Sequence, residues 1–194
     1  MLIWLGVFYY CPQWFPITRF HNLIASNLDK LIPFLPESAW IYQSLFFLLP
    51  IALFIQPNQP TLVRFVCGFC LLVLSFSIIF WFYPTALPEP IYPAKIPLGF
   101  RYLVMEIDVH KNVFPSLHAA LSIYAGASIF ILERRNKIRC SLLIIWIAIL
   151  LISTLTTKQH IIIDVVAGAS AGLIFYILAN QVNVTNRDSN PRSS

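Results

Sequence analysis

Five long apolar runs constrain this chain more than any other feature of its sequence. Each is close to the ~20 residues that cross a bilayer as a helix. The runs are Ala39 to Gln56, Thr61 to Tyr83, His118 to Leu132, Ser141 to Thr157 and Ile161 to Val182. Charged side chains make up only 11% of the 194 residues, too few to cover a water-facing surface. The pattern predicts an all-α, polytopic integral membrane helix bundle and argues against disorder and nucleic-acid binding.

A sixth span is expected at the start of the chain, which gives five to six transmembrane helices in all. Met1 to Thr18 carries no charge, but Pro12 and Pro16 interrupt it and it is barely long enough to cross. We therefore expect a short or kinked first helix. Residues 1–182 would form a single membrane-embedded domain, and the polar tail, residues 183–194, is expected to be disordered.

Short basic loops predict the orientation of the bundle. The connection from Glu133 to Cys140 holds four Lys or Arg residues, and the tail adds Arg187 and Arg192. Both segments are expected to be cytoplasmic. Even crossings then place both termini in the cytoplasm and residues 19–38, 84–117 and 157–161 on the opposite face. The small size of the chain favours a bacterial inner membrane, with these segments facing the periplasm.

Two polar clusters lie on the predicted outer face. In the first, Ser116 is a natural N-cap, so His118 falls in the first turn of the next helix, where free N–H groups favour an anion. In the second, His160 and Asp164 are four residues apart, which on a helix would place both on one face. The carboxylate would accept the Nδ1–H of His160 and leave Nε2 as a neutral nucleophile. Taken alone, His118 is more typical of a structural residue, and the pair also fits a polar contact or a proton relay.

The two clusters together resemble a known family. FPSLHAA, followed about forty residues later by STLTTKQHIIIDVVAG, resembles the second and third signature motifs of the type 2 phosphatidic acid phosphatase superfamily. The closest likeness is to its branch of inositol phosphorylceramide and sphingomyelin synthases. FYPTALPEP and DVHKN look like the first-motif region and the Asp-x-x-x-Asn lead-in of that branch. The resemblance covers roughly Trp40 to Gly172 and includes the six-helix plan.

The resemblance implies a membrane lipid phosphatase or headgroup phosphotransferase. It makes His160 the nucleophile that forms a phosphohistidine, and Asp164 the carboxylate that orients it. His118 would protonate the leaving alcohol and then activate the water or acceptor hydroxyl. Histidines suit both tasks because they exchange protons near neutral pH. The resemblance also implies that no metal and no cofactor are required, and that the partners are membrane lipids with phosphate headgroups.

Two positions depart from the family pattern. Arginines of the family motifs stand where this chain has Glu89 and Thr154. Because a transferred phosphoryl group needs cationic or N–H donors around its oxygens, other residues must supply them. Five residues separate Lys95 from Arg101, where the family motif has six between its lysine and its arginine. The predicted phosphate-binding residues are Lys158, Ser116, Lys95 and Arg101, with Lys111 as a further candidate.

Two other functions stay open at the level of sequence. A small proton-coupled transporter would use His118, His160 and Asp164 as a relay, although internal repeats, which are common in transporters, are not found in the sequence. The other is a catalytically degenerate family member with a binding role. Its main support is the loss of the arginines at Glu89 and Thr154.

Overall fold

The computed structural model of the protein describes residues 20–87 and 112–181. Seven α-helices lie in these ranges: α1 Asn27–Leu31, α2 Ala39–Gln43, α3 Leu45–Phe54, α4 Gln59–Phe82, α5 Leu117–Glu133, α6 Lys137–Thr156 and α7 Ile162–Gln181. A 3₁₀ turn, Pro36–Ser38, leads into α2. Two short strands, β1 His21–Asn22 and β2 Thr85–Ala86, pair in parallel.

The helices agree with the predicted apolar runs. Four spans are long and apolar enough to cross a membrane: Pro36–Phe54, Gln59–Phe82, Lys137–Thr156 and Ile162–Gln181. The fifth, α5, is apolar but has only 17 residues. The predicted all-α, polytopic membrane bundle is therefore confirmed. The predicted first span, Met1 to Thr18, and the tail after Val182 lie outside the described residues.

Side-chain caps start three of the long helices where the sequence has Asn or Ser. Asn58 accepts a hydrogen bond from the N–H of Thr61 at the start of α4. Asn136 does the same for Arg139 at the start of α6. Ser116 caps α5, as predicted. Each cap satisfies an N–H that has no partner inside the helix, which fixes where each helix begins.

The core surrounds α5, which packs against α3, α4, α6 and α7. Large apolar side chains in this core are fully buried, among them Phe69, Phe76, Phe80 and Leu121. Tyr124 is also fully buried, and its hydroxyl donates to the backbone oxygen of Phe65 at 2.7 Å. Many other apolar side chains are exposed along the long helices. An outer surface of this kind is suited to lipid rather than water.

Two glycines bring α5 and α7 into backbone contact. A Cβ atom at Gly168 would overlap the backbone oxygen of Ser116, and one at Gly172 would overlap that of Ala120. Such small-xxx-small spacing lets membrane helices approach closely. The N–H of Ser116 also donates to the backbone oxygen of Asp164 at 3.1 Å. The first turns of α5 and α7 therefore lie side by side.

The connections at this end of the bundle form one surface, which we call the site face: residues 20–38, 83–87, 112–118 and 156–164. Backbone hydrogen bonds join its parts, from Leu23 to Ala86 at 2.9 Å and from Leu35 to Thr156 at 2.9 Å. The basic α5–α6 connection lies at the opposite end, because α5 runs away from the site face. The described parts of the three segments predicted to share a face therefore do so.

Candidate active site

The His160 imidazole lies beside a buried carboxylate. Its Nδ1 is 3.5 Å from Oδ2 of Asp164, and the two side chains are 9% and 0% exposed. Within the described ranges, neither Nδ1 of His160 nor Oδ1 of Asp164 has a hydrogen-bond partner. Catalytic hydrogen bonds are often long without substrate and tighten when it binds. The two groups are therefore close enough to pair after a small movement.

The local structure differs from the prediction that both residues lie on one helix. His160 precedes the helix, since α7 begins at Ile162, and its N–H donates to the backbone oxygen of Thr154 at 3.2 Å. Asp164 is in the first turn, where its Oδ2 accepts from the N–H of Ile161 at 3.0 Å. This is one half of a capping box. A carboxylate in this place favours a helix start, which is why His160 falls in the turn rather than on the helix.

His118 lies in the first turn of α5, as predicted. Its ring stacks on Tyr42 with centroids 3.8 Å apart, and its Nε2 is 2.7 Å from the backbone oxygen of Tyr42. A carbonyl oxygen only accepts, so Nε2 carries a hydrogen. The contact between Ser116 and Asp164 brings this first turn beside that of α7. Both histidines thus lie within a few residues of one backbone contact.

Ser116 and Lys158 are the predicted phosphate-binding residues that the structure describes. Ser116 is fully buried and its hydroxyl accepts from the N–H of Ala119 at 3.2 Å. The Lys158 ammonium donates to the backbone oxygens of Asp29 and Ile32. Burial lowers the pKa of Lys158, and the Asp29 charge only partly offsets this. Two of its three donors are thus occupied, and phosphate binding by either residue stays a prediction.

The departures from the family pattern lie in different parts of the chain. Thr154 is fully buried in the last turn of α6, where its hydroxyl donates to the backbone oxygen of Leu151 at 2.7 Å. It supplies no charge where the family has an arginine. Four other residues lie outside the described ranges: Glu89, Lys95, Arg101 and Lys111. The described Lys and Arg residues of the site face are Lys30 and Lys158.

Asn112 is a buried amide that sequence reasoning did not assign to a role. The residue is 3% exposed, and its N–H donates to the backbone oxygen of Thr85 at 2.7 Å. Its backbone is left-handed, with φ 57°, a conformation that asparagine tolerates. Neither Nδ2 nor Oδ1 has a hydrogen-bond partner in the described part of the chain. Leaving such a group unpaired costs about 1–3 kcal/mol, so a ligand is one physical explanation for it.

Asp29 is a second residue that sequence reasoning missed. Its carboxylate accepts from the N–H of Ile162 at 2.8 Å and from the N–H of Ser26 at 2.8 Å. Burial raises the pKa of Asp29, but these bonds, the Ser26 hydroxyl and the Lys158 charge outweigh it and hold the pKa below its ordinary value. The Asp29 carboxylate therefore stabilises the folded protein above the pKa that Asp29 has in the unfolded chain. This stabilisation is lost as the pH falls through the lowered pKa of the folded state.

Some of these residues carried a sequence signal. Ser26 and Asp29 have the spacing of a capping box, which the structure contains, and Gly168 and Gly172 have the GxxxG spacing of packed membrane helices. These spacings predict the local structure, but they do not identify the distant residues that each segment contacts. The stacking of Tyr42 on His118 has no signal in the sequence, because it joins residues on separate helices.

The fold and the site define an integral membrane protein with two histidines and a buried carboxylate at one end of its helix bundle. The model of the PAP2 superfamily matches residues 79–188, more than half of the chain. The chain therefore belongs to the PAP2 superfamily, and this membership supports a phosphatase-type function on lipid phosphates. No curated protein and no solved structure matches the chain significantly. The predicted superfamily is thus confirmed.

Proposed function

We propose that the protein is a membrane lipid phosphatase or lipid headgroup phosphotransferase that works through a phosphohistidine at His160. The observation that carries the proposal is the 3.5 Å approach of His160 Nδ1 to the buried Asp164 carboxylate. This pair stands beside the helix start that bears His118. A nucleophile oriented by a second group, with an acid nearby, is the arrangement that covalent catalysis requires.

The proposed reaction has two steps. In the first, the Nε2 lone pair of His160 attacks phosphorus, the P–O ester bond breaks, and His118 gives its proton to the leaving alcohol. In the second, His118 takes a proton from water or an acceptor hydroxyl, whose oxygen displaces His160 from phosphorus. Both steps use protein groups alone, so we propose a reaction without metal.

The proposed substrates are membrane lipids with phosphate headgroups. Their acyl chains would stay in the bilayer against the apolar sides of the helices, while the headgroup reaches the site face. We propose that this face is extracytoplasmic in a bacterial inner membrane, since Arg134, Arg135 and Lys137 lie at the other end and basic loops are typically cytoplasmic. The resemblance of DVHKN to the synthase branch leaves headgroup transfer open beside simple hydrolysis.

Trapping the intermediate tests the mechanism. His118→Ala removes the acid of the first step and the base of the second. Label from phosphate-labelled phosphatidic acid should therefore enter the purified protein slowly and then persist as a phosphorylated protein. The label should be acid-labile and base-stable, and should map to His160. The double variant His118→Ala, His160→Ala is the control and should carry no label. Label that persists in the double variant would exclude His160 as the nucleophile.

Asn112 is expected to contribute to phosphate binding. Its amide, which has no partner among the described residues, would donate to a phosphoryl oxygen. Thr154 supplies no charge at the position where the family motif has an arginine. Asn112→Ala should raise KM and weaken vanadate inhibition by about 10-fold, the value of one lost hydrogen bond to a charged group, with a smaller change in kcat. The exposed Asn22 of the same face is the control, and Asn22→Ala should change neither constant. Unchanged vanadate inhibition in Asn112→Ala would contradict this role.

Two observations favour the degenerate, binding-only alternative. The Lys158 ammonium is engaged by backbone oxygens, and Thr154 supplies no charge. If the protein releases no phosphate and takes up no label, this alternative replaces the enzymatic proposal. The transporter alternative requires proton flux in liposomes without lipid turnover.

A further inference from the structure

The carboxylate of Asp29 bridges the amino-terminal part of the site face to the start of α7. Asp29 is 7% exposed. Its Oδ1 accepts from the N–H of Ile162, a residue 133 positions away in sequence, and its Oδ2 accepts from the backbone N–H and the hydroxyl of Ser26. Ile162 is the first residue of α7 and follows His160 by two positions. Asp29 therefore holds the chain where it turns from His160 into the helix.

Lys158, two residues before His160, also contacts the segment that contains Asp29. Its ammonium donates to the backbone oxygens of Asp29 and Ile32. The Lys158 backbone is left-handed, with φ 59°, at a helix C-terminus where glycine is usual. A left-handed lysine costs about 1–2 kcal/mol and persists only when its surroundings determine it. The residues two before and two after His160 are thus both hydrogen-bonded to residues 26–32, which we call the α1 segment.

Two carboxylates divide the free donors at the start of α7. Asp164 takes the N–H of Ile161, and Asp29 takes the N–H of Ile162. Helix N-terminal donors attract anions strongly. Because Asp29 satisfies one of them, Asp164 does not have to cap both. Its Oδ2, which accepts from Ile161, is also the oxygen that lies 3.5 Å from Nδ1 of His160.

We propose that Asp29 is a positioning residue for phosphoryl transfer, which fixes the backbone between His160 and Asp164 and so keeps the imidazole within reach of its carboxylate. This inference rests on the proposed function, because it gives Asp29 a part in the same reaction. The direction of its pKa shift agrees, since a lowered pKa keeps Asp29 an anion at neutral pH.

The test compares Asp29→Asn with Glu37→Gln. Both remove one negative charge from the site face, but Glu37 is exposed. We expect Asp29→Asn to lower kcat about 10- to 100-fold, the size of effect that a small displacement of a reacting group produces, with little change in KM. Glu37→Gln should retain the wild-type kcat. Hydrogen exchange of the backbone amides of residues 159–163 should be faster in Asp29→Asn alone.

Three results would overturn the proposal. The first is an unchanged kcat in Asp29→Asn, and the second is unchanged hydrogen exchange. The third is a lower KM with tighter vanadate inhibition, which would mean that Asp29 competes with phosphate for the N–H of Ile162. If Asp29→Asn does not fold, Ser26→Ala removes one hydroxyl donor to the carboxylate and should give a smaller fall in kcat.

The outcome is separable from that of the proposed function. If wild-type protein turns over no lipid phosphate, or if turnover is independent of His160, the proposed function fails. Hydrogen exchange would still report whether Asp29 holds the turn. If His160 is essential and Asp29→Asn is fully active, the proposed function stands and the role of Asp29 is rejected.

Discussion

Replacing His160 with alanine is expected to lower lipid phosphate turnover by about 10⁴-fold or more, the effect seen when a covalent nucleophile is removed. The His160 imidazole combines near-complete burial with a carboxylate 3.5 Å away. The measurement is phosphate release or transfer by purified protein in detergent with phosphatidic acid, phosphatidylglycerophosphate, isoprenyl pyrophosphate and a phosphodiester lipid. Asp164→Asn should lower turnover less, because it weakens orientation without removing the nucleophile.

His21 provides a matched control for this experiment. It is an exposed histidine of the same face, stacked on Tyr83 with ring centroids 4.1 Å apart. His21→Ala should therefore retain wild-type turnover. Equal loss in His21→Ala and His160→Ala would indicate a general effect of altering this face. Wild-type turnover in His160→Ala would end the phosphohistidine mechanism.

Replacing Gly168 with alanine is expected to produce the second large effect. The new Cβ would overlap the backbone oxygen of Ser116, and backbone cannot rotate aside as a side chain can. The first turns of α5 and α7 would separate, which moves His118 away from His160 and Asp164. We expect turnover to fall more than about 100-fold and the protein to be less stable by about 1–3 kcal/mol. Thermal unfolding in detergent and the phosphate assay measure these two effects.

Gly126→Ala is the matched control for Gly168→Ala. A Cβ at Gly126 would meet only the end of the Ile147 side chain, which can adopt another rotamer. Gly126 also lies farther along α5, away from the site face. We therefore expect nearly normal turnover and a smaller loss of stability in this variant. If both variants behave alike, the close approach at Ser116 is not what holds the site together.

The sequence predicts the helices well because each apolar run forms its structure locally. Hydrophobic length decides whether a segment crosses the bilayer, and backbone groups in lipid must pair within the segment. The five runs therefore match five helical spans. The start of α5 was also predictable, since Ser116 caps it through its own neighbour, Ala119. Such features depend on residues a few positions apart.

The site could be predicted only in part. The pairing of His160 with Asp164 follows from spacing, but the detail was wrong, because the prediction assumed a continuous helix where Asp164 caps a new one. The engagement of Lys158 by Asp29 and Ile32 was not predictable. It depends on where a distant segment packs, which spacing along one segment does not specify.

The bond between Asp29 and Ile162 also determines the order in which the site can be assembled. Asp29 is made early, yet its acceptor oxygen meets its donor only after 133 further residues have been added. Contacts this far apart in sequence form late in folding. During synthesis, the first four described spans could insert while the α1 segment and the Ser116 turn still lack their partners. Entry of α7, the last of the described helices, would therefore bring the site together. A chain halted before α7 would carry His118 without Asp164.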